Sequence, residues 1–162
     1  CFVPGADHGA FLEEHAPDLV RGGDVVDPAG RVLARHGGTF RFTVGQRRGL
    51  GVSTGRPAYV VDIDRGKNRV LVGPEELLDR RGLVADRMHW IAGAPPANGP
   101  FESEVRIRYR GEDVPAAVQA LGGDRARVEF RTPQRAVAPG QSAVFYRNGE
   151  VLGGGRIVEA LR

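Results

Sequence analysis

Short runs of alternating apolar and polar residues, separated by glycine and proline, constrain the fold of this chain most strongly. The clearest run is "FESEVRIRYR" at residues 101–110, where Val105, Ile107 and Tyr109 alternate with charged residues. A period of two is typical of a β-strand with one buried and one solvated face. The 24 glycines and 11 prolines follow no repeat, and such frequent interruptions favour many short strands over a helical bundle.

The first half of the chain carries the patterns of one short helix and several strands. A helix is predicted over residues 7–16, with Asp7 as its N-cap and Pro17 at its end. The segment "TFRFTV", residues 39–44, is predicted to be a strand with both phenylalanines on one face. Two hairpins are predicted, one at residues 24–36 around the turn "DPAG" and one with strands at 58–64 and 69–73 around the turn "RGKN".

The second half of the chain reads as a more regular series of strands. The pair Asn148–Gly149 is a strong hairpin signal because both residues tolerate positive φ. The three glycines at 153–155 predict a bulge or sharp bend inside the last strand. Strands at this spacing indicate a small closed barrel. The segment "PEELLD", residues 74–79, predicts one helical turn and the domain boundary, which divides the chain into residues 1–76 and 77–162.

The stretch "VGQRRGLG" at residues 44–51 predicts a sharply bent loop that presents two adjacent arginines, Arg47 and Arg48. Glycine permits positive φ and close approach of another backbone. The guanidinium fork suits phosphate or carboxylate, so the loop is a candidate site for an anionic partner. The alternative is a tight turn whose arginines are solvated or pair with nearby Asp and Glu.

The charge balance allows a nucleic-acid partner without requiring one, since the net charge is +3 and the pI about 9.6. In the predicted strand over residues 101–110, Arg106, Arg108 and Arg110 share one face. A polar loop is predicted over residues 131–142, "RTPQRAVAPGQS". With Tyr109 nearby, these groups could hold RNA backbone and bases. The alternative is a solvated barrel face balanced by two glutamates, Glu102 and Glu104.

The only cysteine, Cys1, leaves its role open from the residues alone. It can be a nucleophile, a persulfide carrier or an inert small hydrophobe. One cysteine allows no intrachain disulfide, and no signal peptide is recognisable, so we expect a reducing, cytoplasmic location. No apolar run approaches the length of a membrane span. The four histidines match no zinc signature, and we expect no metal site.

A series of motifs in fixed order resembles the C-terminal half of the bacterial tRNA-specific 2-thiouridylase family. The motifs are "CFVP", "FTVGQRRGLG", "YVVDID", "VRIRYR", "TPQRAVAPGQSAVFY" and "LGGGRI", and they extend from residue 1 to about residue 158. The resemblance implies a mainly β chain. A small central β-rich domain with a short helix (1–76) would be followed by a C-terminal barrel of about six strands, of translation-factor type (77–162).

The resemblance also implies a reaction. Members of this family thiolate the wobble uridine of the tRNAs for Lys, Glu and Gln. ATP, bound by an N-terminal domain that this sequence lacks, adenylates the 2-carbonyl oxygen, and a cysteine persulfide delivers sulfur. The motif "CFVP" places one of the two catalytic cysteines at Cys1, and a disulfide between the two would be a by-product. A sulfur-relay protein or cysteine desulfurase would load the persulfide, and this chain alone should be inactive.

The resemblance further implies the residues that contact tRNA. The "RYR" motif points to Arg108 and Tyr109, and the "PGQ" motif points to Gln141. The loop with Arg47 and Arg48 should lie where the anticodon arm docks, and these arginines would bind tRNA phosphate or brace the Cys1 loop. Two other readings stay open: a non-catalytic RNA-binding β-barrel module in which Cys1 is incidental, and a translation-factor-like barrel that binds protein.

Overall fold

The computed structural model describes residues 8–17, 20–53, 55–109 and 111–162, and the chain divides into two compact units, Cys1–Leu78 and Asp79–Arg162. The first unit contains helix α1 (His8–His15), strands β1 (Gly23–Val26), β2 (Val32–His36), β3 (Tyr59–Asp64) and β4 (Arg69–Gly73), and 3₁₀ turns at Thr39–Arg41 and Glu75–Leu78. The second unit contains β5 (Asp79–Trp90), β6 (Phe101–Arg106), β7 (Val114–Leu121), β8 (Arg125–Arg135), β9 (Ser142–Arg147) and β10 (Glu150–Leu161). The mainly β fold expected from the sequence is confirmed.

The first unit is built on a four-stranded sheet with the order β2-β1-β4-β3. The neighbours β1 and β4 are parallel, and the other two pairs are antiparallel hairpins. Both predicted hairpins are confirmed. In the first turn the Asp27 carboxylate accepts hydrogen bonds from the backbone N–H groups of Ala29 (3.0 Å) and Arg31 (2.9 Å). The bond from the Arg31 backbone is the main reason that the pKa of Asp27 is lowered.

The second unit is a closed six-stranded barrel with the order β10-β5-β8-β7-β6-β9. The alternation seen in the sequence points every second side chain inward. Trp90 stacks on Phe145 inside the barrel with ring centroids 5.6 Å apart. The Asn148–Gly149 turn has φ of 52° and 80°, and the register of β10 shifts on both sides of the glycine triplet, as predicted. The fully buried core includes Leu83, Val105, Val118, Val128, Phe145 and Ile157.

The prediction of a strand at residues 39–44 is wrong, because the segment begins with a 3₁₀ turn at Thr39–Arg41. The Phe42 N–H donates to the Thr39 carbonyl at 3.1 Å and closes the turn. The Phe42 ring then packs edge-on against His36 and joins the core of the sheet, with centroids 5.3 Å apart. The two phenylalanines therefore produce an alternating pattern without belonging to the sheet.

Two boundaries in the barrel also differ from the prediction. Strand β6 ends at Arg106. Arg108 therefore does not share a strand face with Arg106, and Tyr109 does not lie on the apolar face of β6. The chain turns there, because the Gly111 N–H donates to the Arg108 carbonyl at 3.0 Å. The predicted loop at 131–142 is strand up to Arg135, because β8 pairs with the beginning of β5.

Candidate nucleic-acid interface

The Gly45–Gly51 loop is fixed to strand β3 by its own backbone. The Gly45 N–H donates to the Val60 carbonyl at 2.8 Å, and the Val60 N–H donates to the Gln46 carbonyl at 2.9 Å. The three glycines at 45, 49 and 51 have φ of 89°, 71° and 67°, in the left-handed region that glycine adopts readily. The predicted sharp bending is confirmed.

The side chain of Gln46 spans the loop from within. Its Oε1 accepts a hydrogen bond from the Thr43 N–H at 3.0 Å, and its Nε2 donates to the Arg48 carbonyl at 2.8 Å. These two bonds hold the segment before the loop and the arginine pair in one arrangement. Arg47 and Arg48 are exposed, and neither forms an ion pair with any residue that the structure describes. Of the two alternatives considered for them, pairing with nearby carboxylates is not observed among the described residues, and exposure to solvent is.

The chain after β6 is organised by two arginines. Arg106 donates from Nε and from one Nη to the two carboxylate oxygens of Asp113, both at 2.7 Å, and this pairing raises the pKa of Arg106. Its guanidinium also lies 5.0 Å from the centre of the Tyr146 ring. Arg108 donates to the backbone carbonyls of Arg135 and, at 3.3 Å, of Ala136. Arg106 and Arg108 therefore brace the turn from both sides.

Tyr109 is the most exposed large hydrophobic residue in the described part of the chain, at 95% of its full area. It follows Arg108, whose guanidinium is anchored to the end of β8. An aromatic ring presented to solvent on a braced turn is a suitable platform for stacking a base. The alternating pattern predicted this ring on the apolar face of a strand beside arginines that could hold RNA, and the resemblance to the family predicted it at an RNA surface.

Gln141 lies on the neighbouring loop between β8 and β9. The Ile157 N–H donates to its carbonyl at 2.7 Å, and its own N–H donates to the Ala138 carbonyl at 3.3 Å, which leaves the side chain exposed. Arg106 pairs with Val144, so the chain leaves β6 beside the beginning of β9. The fold therefore brings the segments carrying Arg108, Tyr109 and Gln141 to the same end of the barrel.

Two positioning residues were not identified from the sequence as such. Gln46 stands inside a quoted motif, but its hydrogen bonds become visible only with the loop closed. Asp113 lies seven residues after Arg106, a spacing that two neighbouring strands of a hairpin could have suggested. Cys1 and Arg110, which the sequence singled out, lie outside the described residues.

The described residues contain neither a cluster of three or more metal-ligating side chains nor a helix long and apolar enough to cross a membrane.

Comparison with known proteins decides the family. Residues 9–74 match the family model described as the tRNA methyl transferase PRC-barrel domain, and residues 80–157 match the aminomethyltransferase β-barrel domain. The tRNA-specific 2-thiouridylase MnmA of Chlorobium phaeovibrioides is 50% identical over 98% of this chain. The chain belongs to the tRNA-specific 2-thiouridylase family. The enzymes of the same name from Roseiflexus castenholzii and Geobacter metallireducens are 46% and 48% identical over 97% and 99% of the chain.

The chain spans less than half the length of these 2-thiouridylases, between 42% and 45% in the three cases. The two matched models divide it between residues 74 and 80. The compact units of the structure divide after Leu78.

Proposed function

We propose that this chain supplies the sulfur-carrying cysteine and the tRNA-binding surface of a tRNA-uridine 2-sulfurtransferase. The observation that carries the proposal is the 46–50% identity to 2-thiouridylases along nearly the whole chain. The substrate would be the wobble uridine of the tRNAs for Lys, Glu and Gln. Because the chain corresponds to less than half of its relatives, the chemistry requires the rest of the protein.

The proposed reaction proceeds by covalent sulfur transfer from Cys1. ATP, held by a part of the protein outside this chain, activates the uracil by adenylating its 2-carbonyl oxygen. The terminal sulfur of a Cys1 persulfide then attacks the activated carbon, and AMP leaves with the original oxygen. A second cysteine thiolate attacks the inner sulfur, which releases 2-thiouridine and leaves a disulfide that thiol exchange reduces. A sulfur-relay protein or cysteine desulfurase would reload Cys1.

The described residues fit the binding half of this role. Tyr109 offers an exposed ring for stacking, and Gln141 offers an amide that can read a base edge. Arg47 and Arg48 offer two exposed guanidinium groups on a loop that Gln46 holds in shape. Arg108 contributes by fixing the turn that carries Tyr109. These binding groups favour tRNA as the partner, with the anticodon arm as the part of the tRNA that the protein binds.

A non-catalytic RNA-binding module is the second candidate. It is favoured by the exposed Tyr109 ring and the exposed Arg47 and Arg48, which would serve RNA binding without catalysis. The two candidates differ in whether 2-thiouridine forms at all. Full-length protein incubated with ATP, a persulfide donor and a tRNA(Glu) transcript should form 2-thiouridine, and residues 1–162 alone should form none. A full-length protein that binds the transcript without thiolating it would support the module.

The arginine pair gives a separate test of the binding half. Arg47→Ala/Arg48→Ala should weaken tRNA binding and lower the log–log salt slope by roughly 0.7–0.9 for each phosphate that the protein no longer neutralises. The matched control is Arg65→Ala/Arg69→Ala, which removes two exposed arginines from the β3–β4 hairpin of the same unit. A slope that stays the same in the loop variant, or falls equally in the control, would contradict a phosphate-binding role for this loop.

A further inference from the structure

A second arginine-lined site lies in the barrel unit, and it shares no residue with the turn that carries Tyr109. It is an open hollow of about 330 Å³ over the outer wall where β5, β8 and β10 meet. Its side chains combine a charged rim with an apolar floor. The rim includes Arg81, Arg127, Arg131 and Arg162, and the floor consists of the exposed Pro133, the half-buried Leu161 and the small exposed part of Phe130, which otherwise packs in the barrel core.

The fold creates this hollow through an irregular pairing of β5 with β8. Arg80 pairs with Gln134, whereas Gly82 pairs with Glu129, so the intervening residues of β8 form a bulge. A Cβ at Gly82 would lie 2.2 Å from the Val128 carbonyl oxygen, so the backbones approach too closely for any side chain there. Gly82 lines the hollow with backbone alone, because this close approach requires glycine there.

The charges around the hollow favour an anion. Four arginines and one glutamate, Glu129, line it. Arg127 pairs with Glu129 at 3.0 Å, and Arg131 pairs with Glu102 on β6, which raises the pKa of Arg131. Arg81 and Arg162 form no ion pair with the residues that the structure describes. An excess of positive charge therefore remains around an apolar floor.

We propose that this hollow is a second RNA-binding site of the barrel, which takes a nucleotide with its phosphate on the arginine rim and its sugar or base face on the floor. Arginine forks match phosphate oxygens, and a nucleotide combines that anion with flat apolar faces. An acidic peptide would satisfy the rim but would leave the floor unused.

The path of β8 connects the hollow to the proposed tRNA surface. Arg131 lines the hollow, and four residues later the Arg135 carbonyl accepts a hydrogen bond from the Arg108 guanidinium. Four residues of extended chain cover about 13 Å, so one RNA strand could contact both places. The inference therefore rests on the proposed function and extends the tRNA footprint along β8.

The test compares two arginine pairs from the same strands in the full-length protein. Arg81→Gln/Arg127→Gln removes charge from the hollow. Arg87→Gln/Arg125→Gln removes two exposed arginines of β5 and β8 near the β7–β8 turn. With a tRNA(Glu) transcript as the probe, the hollow variant should lower the log–log salt slope by roughly 1.4–1.8, the value for two phosphates, and the control should leave it unchanged. Arg81→Lys/Arg127→Lys should keep most of the slope.

The outcomes separate this inference from the proposed function. An unchanged slope in the hollow variant, or an equal loss in both pairs, overturns the second site while the thiolation assay and the Arg47/Arg48 test still stand. Loss of binding to an octaglutamate peptide, with tRNA binding intact, overturns the assignment to RNA. A full-length protein that binds no tRNA overturns both proposals. Circular dichroism melting of each variant is the control that the barrel remains folded.

Discussion

At the scale of single residues, the side chain of Gln46 connects the two sides of the Gly45–Gly51 loop. It receives a hydrogen bond from Thr43 and donates one to Arg48, while the Gln46 backbone carbonyl pairs with Val60 on β3. One residue therefore joins the sheet, the entry to the loop and the arginine pair. Gln46 thus holds the backbone at Arg48, and no carboxylate among the described residues pairs with Arg47 or Arg48.

Replacing Gln46 with Ala should loosen the loop without unfolding the unit. Two hydrogen bonds of partly exposed groups are removed, and each contributes about 0.5–1.5 kcal/mol, so the free energy of unfolding should fall by about 1–3 kcal/mol. The Thr43 amide should exchange with solvent faster, as measured by hydrogen exchange and NMR. Gln119→Ala on the exposed face of β7 is the control. An unchanged exchange rate at Thr43 would show that the loop holds its shape without Gln46.

His36 should make the stability of the first unit depend on pH. Burial lowers the pKa of its imidazole, and the nearby Asn68 carbonyl and Asp24 carboxylate only partly oppose this effect. In the unfolded chain this histidine has its ordinary pKa of about 6.5. As the pH falls, it therefore takes up a proton in the unfolded chain before it does so in the folded one. The free energy of unfolding should therefore decrease below about pH 6.5.

Urea unfolding between about pH 5 and 8 measures this dependence. His36→Gln should flatten the curve in that range, and the exposed His89 gives the control variant His89→Gln, which should not. A His36→Gln protein that retains the full pH dependence would mean that another group is responsible.

At the scale of elements, the sequence predicted correctly the turns whose conformation is determined by residues within the turn itself. The "DPAG" turn follows from the Asp27 carboxylate, and the Asn148–Gly149 turn follows from two residues that accept positive φ. The elements it missed depend on distant partners. Residues 39–44 alternate like a strand, but Phe42 packs on His36. Strand β8 continues to Arg135 because the beginning of β5 lies beside it, which no local pattern reveals.

The close approach of β5 and β8 should tolerate no side chain at position 82. Gly82→Ala would push a Cβ into the Val128 carbonyl, and overpacking of this kind typically costs about 1–3 kcal/mol. Chemical denaturation should show that loss of stability. Gly122→Ala is the matched control, since a Cβ there meets nothing within 4 Å. Equal stability of Gly82→Ala and Gly122→Ala would contradict the close approach of the two strands.

At the scale of the whole molecule, the family could be read from ordered motifs, but the binding geometry could not. The motifs "GQRRGLG" and "PQRAVAPGQS" pointed to the arginine loop and Gln141 from the sequence alone. The structure added the parts that hold the binding groups: Gln46, Asp113 and the anchoring of Arg108 on the end of β8. These supports depend on hydrogen bonds between segments, which spacing along the chain does not encode.

The central claim is that this chain carries the sulfur for tRNA thiolation, and Cys1 tests it most directly. The full-length protein in its host should be changed at Cys1 to Ser, and 2-thiouridine in digested tRNA should be quantified by mass spectrometry. We predict loss of the nucleoside while protein level and tRNA binding stay at the level of the unchanged protein. A normal amount of 2-thiouridine would contradict the claim and would leave this chain as a tRNA-binding part only.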